Sequence, residues 1–205
     1  LAPARRLLVQ KSMGLGHYAA IMSAAHAALV GSLFAAFFVD IGYNDAAVSL
    51  VRTLHSVGVV LIAYPFGALL AIIGTRNMAV AGLVMIGAIT ALMTLTGDVP
   101  FAPGVFMLLG GVAFGSLRSL YPIVAAQNST PQERGQAMAV VGLYWAVGML
   151  ITPFAFGLIG DAIGIRPTLY LFSGIAVSAA LLTPLLAYWW REQPAVEGDP
   201  SPASA

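Results

Sequence analysis

Six long apolar stretches alternate with short polar breaks along the chain. A transmembrane helix needs about 20 consecutive, mainly apolar residues to cross the hydrocarbon core of a bilayer. Each stretch reaches or approaches that length, so the pattern predicts an all-α, polytopic membrane protein with one six-helix transmembrane domain over residues 15–190. The predicted helices cover about residues 15–39, 46–73, 78–96, 101–127, 131–160 and 167–190.

The breaks between the stretches carry residues that favour turns and helix ends. The break at 74–77 is so short that it predicts a tight loop, with the second and third helices as antiparallel neighbours. Thr130, Pro131 and Glu133 have the spacing of a capping box, in which a Thr side chain and a Glu three residues later satisfy free backbone N–H groups. This predicts that the fifth helix begins at Pro131.

The composition places the chain in a membrane and excludes several functions. Hydrophobic residues make up 60%, charged residues 8%, and the mean hydropathy is +0.91, which is too apolar for a soluble fold. A net charge of +1 leaves no basic face for nucleic acid, and the absence of cysteine excludes thiolate metal sites and cysteine nucleophiles. The helices carry no paired aspartates and no His-Glu-x-x-His motif, so we expect no enzyme activity, no metal and no cofactor.

The basic residues outside the apolar stretches predict the orientation. Both termini of a six-helix protein lie on one side of the membrane, and cytoplasmic loops are enriched in Lys and Arg. Arg166 lies on the opposite side. The distribution predicts cytoplasmic termini in a plasma (inner) membrane protein, because the terminal side carries Arg5, Arg6, Lys11, Arg76, Arg134 and Arg191.

The two flanking segments differ from the apolar domain. Residues 1–14 form a predicted cytoplasmic segment, and residues 191–205 are rich in Pro, Gly, Ser and acidic residues, which predicts a disordered cytoplasmic tail. The chain opens on Leu1, and its first apolar stretch is too long for a removable signal peptide. We therefore expect a fragment, or one half of something longer.

A few ionisable residues lie inside the predicted spans, where a charge costs roughly 2.5–3.5 kcal/mol on insertion scales. They lie on the first, second and fourth helices, which predicts that these helices border a polar cavity and that the third and sixth face lipid or support them. No Asp or Glu lies in a span, so the chain offers no carboxylate proton relay. The candidate cavity or substrate-binding residues are His26, Arg52, His55, Arg118 and Tyr121.

Each of these ionisable residues also has a structural explanation. Arg52 lies about two turns from its helix start, from where its side chain can reach the interface. The Arg118 side chain can also reach the interface, and a structural pairing with a carboxylate is the second alternative for it. His26 and His55 are equally compatible with hydrogen-bonded packing in a helix bundle. The sequence leaves these alternatives open.

Several motifs resemble those of major facilitator superfamily transporters. Gly110-Gly111-Val112-Ala113-Phe114-Gly115, followed by Pro122 and the loop 131–137, is similar to the tenth helix of that family and the loop after it. A later segment of this chain resembles the eleventh helix of that family and the loop after it. It contains Gly148, Pro153, Gly157, Gly160, Asp161, Gly164 and Arg166. The segment 67–76 resembles the cytoplasmic G-x-L-x-D-x-x-G-x-R loop, with Ala71 in place of the acidic residue.

The resemblance implies a fold of two six-helix halves, of which this chain is similar to the C-terminal one. It implies a gating role for Gly67, Gly74 and Arg76, weakened by the missing acid. It also implies structural roles for a set of motif residues: Pro131, Glu133, Arg134, Gly135, Pro153, Gly157, Asp161, Gly164 and Arg166.

The function implied by the resemblance is secondary active transport of a small solute by alternating access, of efflux type. The arginines and histidines in the spans favour an anionic or amphipathic substrate, with any proton-coupling carboxylate in the second half. The expected partners are the lipid bilayer, a small-molecule substrate and that second six-helix half. The alternative is a non-transporting membrane assembly or sensor partner built on the same six helices.

Overall fold

The protein is all-helical over the residues that the structure, a computed structural model, describes, namely 7–8 and 10–189. Arg5, Arg6, Arg191 and the tail at 191–205 lie outside this range. After a short 3-10 helix at Lys11–Met13, the chain forms α1 (Gly14–Gly31), α2 (Leu33–Asp40), α3 (Asp45–Ala63), α4 (Phe66–Leu95), α5 (Ala102–Gln127), α6 (Arg134–Ile163) and α7 (Ile165–Trp189).

Six helical segments of the described chain are long and apolar enough to cross a membrane. They confirm the all-α fold class, because α1 and α2 together form the first span and each later helix forms one more. The spans are Lys11–Asp40, Asp45–Ala63, Phe66–Leu95, Ala102–Gln127, Arg134–Ile163 and Ile165–Leu186.

The predicted second helix, 46–73, is interrupted in the structure. α3 ends at Ala63 and α4 begins at Phe66, because Pro65 lacks a backbone N–H and cannot continue the hydrogen-bond ladder. The break that the sequence pattern predicts at 74–77 lies inside α4, where Gly74 alone has non-helical dihedrals (φ 77°, ψ 163°). The third predicted helix, 78–96, therefore corresponds to the later part of α4.

Helices adjacent in sequence are not always adjacent in the bundle. α3 packs along α5, where a Cβ atom on Gly58 would overlap the backbone at Leu108. α4 packs on α5 and on α7, and Ser173 of α7 donates a hydrogen bond of 2.7 Å to the Gly87 carbonyl oxygen of α4. α3 and α4 hardly touch, so the prediction that the second and third helices are neighbours is wrong. The glycine-lined contacts determine the neighbours, since they permit the closest backbone approach.

The helix directions alternate as six membrane crossings require. Along α3, His55 lies against Gly111 and the later Ile62 against Gly115 of α5. Along α4, Gly82 lies against Leu117 of α5, but the later Ile89 lies near the earlier Gly110. Since α5 is the shared reference, α3 runs parallel to it and α4 runs antiparallel. α1 lies in the centre of the bundle, between α5 and α6.

Because the helix directions alternate, the charged residues outside the spans of the described chain lie at two opposite ends of the bundle. The basic end carries Lys11, Arg76 and Arg134, together with Glu133. The acidic end, formed by the turns after α2, α4 and α6, carries Asp40, Asp45, Asp98, Asp161 and Arg166.

The fifth span begins later than the capping-box prediction. α6 starts at Arg134, and its N-terminus has no side-chain cap. Thr130 Oγ1 instead donates a hydrogen bond of 3.0 Å to Glu133 Oε2, and the Glu133 backbone N–H donates to the Thr130 carbonyl oxygen at 3.0 Å, so neither side chain caps the helix. Pro131 lies in the turn before the helix.

Candidate functional site

Two histidines meet in the middle of the bundle. The Nε2 atoms of His26 on α1 and His55 on α3 lie 3.3 Å apart, within hydrogen-bond distance. The two residues are only 1% and 6% exposed. Three phenylalanine rings surround His26, with ring centroids 5.7, 6.0 and 6.3 Å from its own, and they belong to Phe34, Phe114 and Phe172.

Glycines on α5 hold the histidine pair in place. Gly111 lies directly against the backbone carbonyl of His55, and a Cβ atom on Gly110 would lie 3.7 Å from His26 Nε2. A Cβ atom at Gly111 would therefore push α3 away from α5, whereas one at Gly110 would only reach ordinary contact distance from His26. Apart from the histidine pair, α1 and α3 make few close approaches, so a gap remains between them.

A polar groove opens in this gap on the acidic side of the histidine pair. It has a volume of about 310 Å³ and is lined by Val30, Ser49, Arg52, Thr53, His55 and Ser56. The last five of these residues lie on α3 at helical spacing. They form an exposed polar stripe, except for His55, which is buried at its base. An exposed arginine and hydroxyl groups inside an apolar span point to water or a polar partner rather than lipid.

The stripe hydroxyls are partly engaged with their own helix. Thr53 Oγ1 donates to the Ser49 carbonyl oxygen at 2.9 Å, and Ser56 Oγ donates to the Arg52 carbonyl oxygen at 3.4 Å. Arg52 has no carboxylate partner within the described part of the chain. The groove is therefore electropositive.

Arg118 lies on the other side of the histidine pair. Its guanidinium carbon is 5.9 Å from the ring centroid of Phe114, whose ring lies 5.4 Å from that of His55. Arg118 is seven residues beyond Gly111 on α5, about 10 Å along the axis towards the basic end. Its side chain is exposed. The site thus has a buried histidine pair with one exposed arginine on each side.

The structure brings together four of the five predicted cavity residues. His26 and His55 touch, Arg52 is on the groove wall, and Arg118 is linked to the pair by Phe114. Tyr121 is separate, since it packs against the two apolar clusters of the core and lies beside Gly16 of α1.

The predicted gating residues lie at or near the basic end. Gly67 and Arg76 are exposed, and a Cβ on Gly67 would meet no atom within 4 Å. Gly74 has dihedrals that are essentially restricted to glycine. The kink that the structure places in this segment therefore depends on Gly74.

The predicted structural-motif residues lie along α6 and in the turns on either side of it. Arg134 and Gly135 begin the helix, Pro153 and Gly157 lie within it, and Asp161 is exposed near its end. Gly164 ends the helix with φ 91° and ψ 162°. Arg166 then forms an ion pair with Asp98 at 3.3 Å, which ties the turn after α6 to the turn after α4.

Sequence reasoning missed several members of the site. Ser49, Thr53 and Ser56 share a helix face with Arg52, and this spacing could have been recognised as a polar stripe. Phe114 has no sequence signal for its role, because its ring contacts two histidines that lie on other helices. A third histidine, His17, stacks on Tyr144 of α6 with ring centroids 4.1 Å apart.

The histidines do not form a metal site with other residues. Within 7–8 and 10–189, no group of three or more His, Asp or Glu side chains has the arrangement to hold a metal ion.

Comparison with known proteins gives one family match. The family model described as Major Facilitator Superfamily matches residues 17–205. No curated protein matches the chain.

Proposed function

The chain belongs to the major facilitator superfamily, a family of membrane transporters, and we propose that it forms one half of a secondary active transporter. In this proposal the half moves a small solute by alternating access, with the binding site between it and a second six-helix half. The resemblance of its motifs to the tenth and eleventh helices favours the C-terminal half and an efflux direction. The family match makes the chain an integral membrane protein with six apolar spans.

The observation that carries the proposal is the polar face of α3. A helix that faces lipid on all exposed sides has no reason to present an arginine within its apolar span, because a charge costs free energy in hydrocarbon. Arg52 and the neighbouring hydroxyls instead line a groove at the gap between α1 and α3. A gap of this kind, lined by polar groups and bordered by the central helix, suits a solute pathway.

The charge of the pathway favours an anionic or amphipathic solute. Arg52 and Arg118 are both exposed, one on each side of the histidine pair, and the described spans carry carboxylates only near their ends. An anion offsets part of the cost of placing these cations within the membrane. Any carboxylate that carries a coupling proton is assigned to the second half.

The proposed location is the plasma (inner) membrane, with both termini in the cytoplasm. Its support is the separation of charge, since Lys11, Arg76 and Arg134 lie at one end and four aspartates lie at the other.

The direct test is transport by the full-length protein in proteoliposomes. A panel of labelled organic anions and amphipathic solutes is screened with and without a pH gradient, in both orientations of the gradient. We expect gradient-dependent accumulation of at least one anionic solute. Arg118→Ala is expected to reduce its transport at least tenfold and Arg118→Lys less, whereas Arg166→Gln serves as a charge-matched control outside the gap.

Two results would contradict the proposal. The first is the absence of transport for every solute and gradient by a well-folded protein, which would favour the non-transporting partner. The second is unchanged kinetics of Arg118→Ala for every accepted solute, which would remove Arg118 from the pathway.

A further inference from the structure

We propose that the groove between α1 and α3 binds an oxyanion group, and that His26 prepares it by fixing His55 as a hydrogen-bond donor. The ligand class is a small carboxylate, phosphate or sulfonate. This inference rests on the proposed function in that the oxyanion group belongs to the transported solute. It goes further by assigning the atoms that hold the group.

The hydrogen bond between the two histidines requires one donor and one acceptor. Because the two Nε2 atoms face each other at 3.3 Å, one neutral ring must donate from Nε2 and the other must accept. Two arrangements satisfy this condition, and they differ in which Nδ1 atom carries the remaining proton. In one, His26 donates from Nε2 and His55 carries its proton on Nδ1. In the other, His55 donates and His26 carries its proton on Nδ1.

The Nδ1 atom of His26 is fully buried and has no hydrogen-bond partner. A proton at this position would be a buried N–H donor without an acceptor. Among buried backbone groups, orphaned N–H donors are rarer than under-satisfied acceptors, and the proposal applies the same preference to the ring nitrogens. The phenylalanine rings around His26 make the site apolar. The favoured arrangement is therefore the one in which His26 donates from Nε2.

The same hydrogen bond determines which ring nitrogen of His55 carries its proton. With Nε2 accepting from His26, its proton lies on Nδ1, and His55 is the residue that lines the base of the groove. Its Nδ1 is not among the fully buried unpartnered atoms of the described chain. The proposal therefore places this N–H at the base of the groove, on a side chain that is only 6% exposed.

The remaining wall of the groove complements this donor. Arg52, three residues before His55 on α3, presents its guanidinium N–H groups, and the Ser49 hydroxyl is available as a third donor. Thr53 and Ser56 donate to backbone carbonyls of α3, so their oxygens add polarity without adding charge. A site with a cation, convergent donors and no carboxylate selects an oxyanion over a cation or a neutral solute.

The volume of the groove fits this ligand class. About 310 Å³ accommodates a small organic acid, at the lower end of the range for ligand pockets. The same chemistry would also accept the phosphate of an anionic lipid headgroup, so the experiment must separate a soluble ligand from a lipid.

The test uses two amide substitutions at His55 that replace one ring nitrogen each. In His55→Asn the amide nitrogen takes the place of Nδ1, which keeps the donor towards the groove and loses the contact with His26. In His55→Gln the amide takes the place of Nε2, which keeps that contact and loses the donor. A purely structural role of the histidine pair would make His55→Asn the more harmful change, whereas the proposal makes His55→Gln the more harmful one.

The measurement is oxyanion-dependent thermal stabilisation of the purified full-length protein in nanodiscs of neutral phosphatidylcholine. The probes are acetate, inorganic phosphate and methanesulfonate, with acetamide as the uncharged control. We expect saturable stabilisation by at least one oxyanion and none by acetamide. The apparent affinity is expected to fall about tenfold or more in Arg52→Gln and His55→Gln, and by much less in His55→Asn.

Controls separate folding and lipid effects from ligand binding. Each variant is first checked for a single monodisperse peak, and Arg52→Lys replaces Arg52→Gln if the latter does not fold, with an intermediate loss expected. A second set of nanodiscs contains phosphatidylglycerol. Stabilisation by phosphatidylglycerol alone, with no response to the soluble oxyanions, would overturn the proposal in favour of a lipid site.

Three further outcomes decide between the proposals. Equal losses in His55→Asn and His55→Gln, or a larger loss in His55→Asn, would reject the tautomer argument. Transport that is active but insensitive to Arg52→Gln would reject this inference and leave the proposed function standing. Oxyanion binding with the expected variant pattern, but without transport, would support this site and reject the proposed function.

Discussion

Gly111 of α5 lies directly against the backbone carbonyl of His55 on α3. A Cβ atom at Gly111 would overlap the His55 carbonyl oxygen, so no larger residue fits without moving one of the helices. Gly58 of α3 makes the reciprocal contact with the backbone at Leu108 and Val112. The position of the histidine pair therefore depends on a contact between backbones, and this contact depends on residues without side chains.

The first prediction follows from this contact. Gly111→Ala is expected to destabilise the protein by about 1–3 kcal/mol, because added volume in a tight contact forces the backbone to shift. Gly142→Ala on α6 is the matched control, since Gly142 is exposed and has no atom within 4 Å of the added Cβ position. Denaturant unfolding of both variants in detergent measures the difference. Equal stability of the two variants would show that α3 and α5 are not held together by this contact.

The second prediction separates backbone strain from packing. Gly67 and Gly74 both have open space around an added Cβ, but only Gly74 has a positive φ, 77° with ψ 163°. Gly74→Ala is expected to lose about 1–3 kcal/mol, because this backbone region is essentially restricted to glycine. Gly67→Ala is expected to change stability by less than about 1 kcal/mol.

The same unfolding measurement checks this pair of variants. A Gly74→Ala variant as stable as Gly67→Ala would mean that the kink within α4 does not need these dihedrals. Gly164, with φ 91° and ψ 162° at the end of α6, offers an independent repeat of the experiment at the acidic end.

The third prediction concerns orientation in the membrane. The 205-residue chain has no cysteine, so each cysteine introduced into it is unique within it. Asp161→Cys and Val99→Cys lie at exposed positions of the acidic end, and Asn77→Cys and Gln132→Cys lie at exposed positions of the basic end. With a membrane-impermeant maleimide on intact cells, we expect labelling of the first pair only. Labelling of the second pair alone would place the termini outside the cytoplasm.

The fourth prediction concerns the ion pair at the acidic end. Arg166 and Asp98 lie 3.3 Å apart, with side chains that are 43% and 68% exposed. Water and salt screen such a pair, so a double-mutant cycle with Arg166→Gln and Asp98→Asn is expected to give a coupling energy of about 0–1 kcal/mol. The cycle is measured by unfolding at low and high salt. A coupling well above this range that persists in high salt would mean that the pair is shielded, for example by another part of the full-length protein.

The sequence predicted the number of spans because crossing a bilayer is a requirement on the length of each apolar stretch. It was less successful where one residue changes the backbone. Pro65 divides the predicted second helix, so that residues 66–73 join α4, whereas the break predicted at 74–77 is reduced to a kink at Gly74. The capping-box prediction placed the start of α6 at Pro131, but Thr130 and Glu133 hydrogen-bond to each other and the helix starts at Arg134.

The candidate site was predictable only as a set of unusual residues. His26, Arg52, His55 and Arg118 were recognisable because ionisable groups are rare in membrane spans. Their relation to one another was not, since His26 and His55 are 29 positions apart and their helices are brought together by glycines on a third helix, α5. The local sequence pattern also gives no sign that Tyr121 lies apart from the other four residues in the structure.

The sequence by itself determined that this protein lies in a membrane, that it crosses six times and that few ionisable side chains lie within its spans. These properties follow from local composition and the thickness of the bilayer. Only the tertiary structure decided that α3 packs on α5 rather than α4, that the two histidines share one hydrogen-bond contact, and that a polar groove remains between α1 and α3. The physical reason is that helices associate in a bilayer by close packing of complementary surfaces, and that fit depends on side chains from several helices at once.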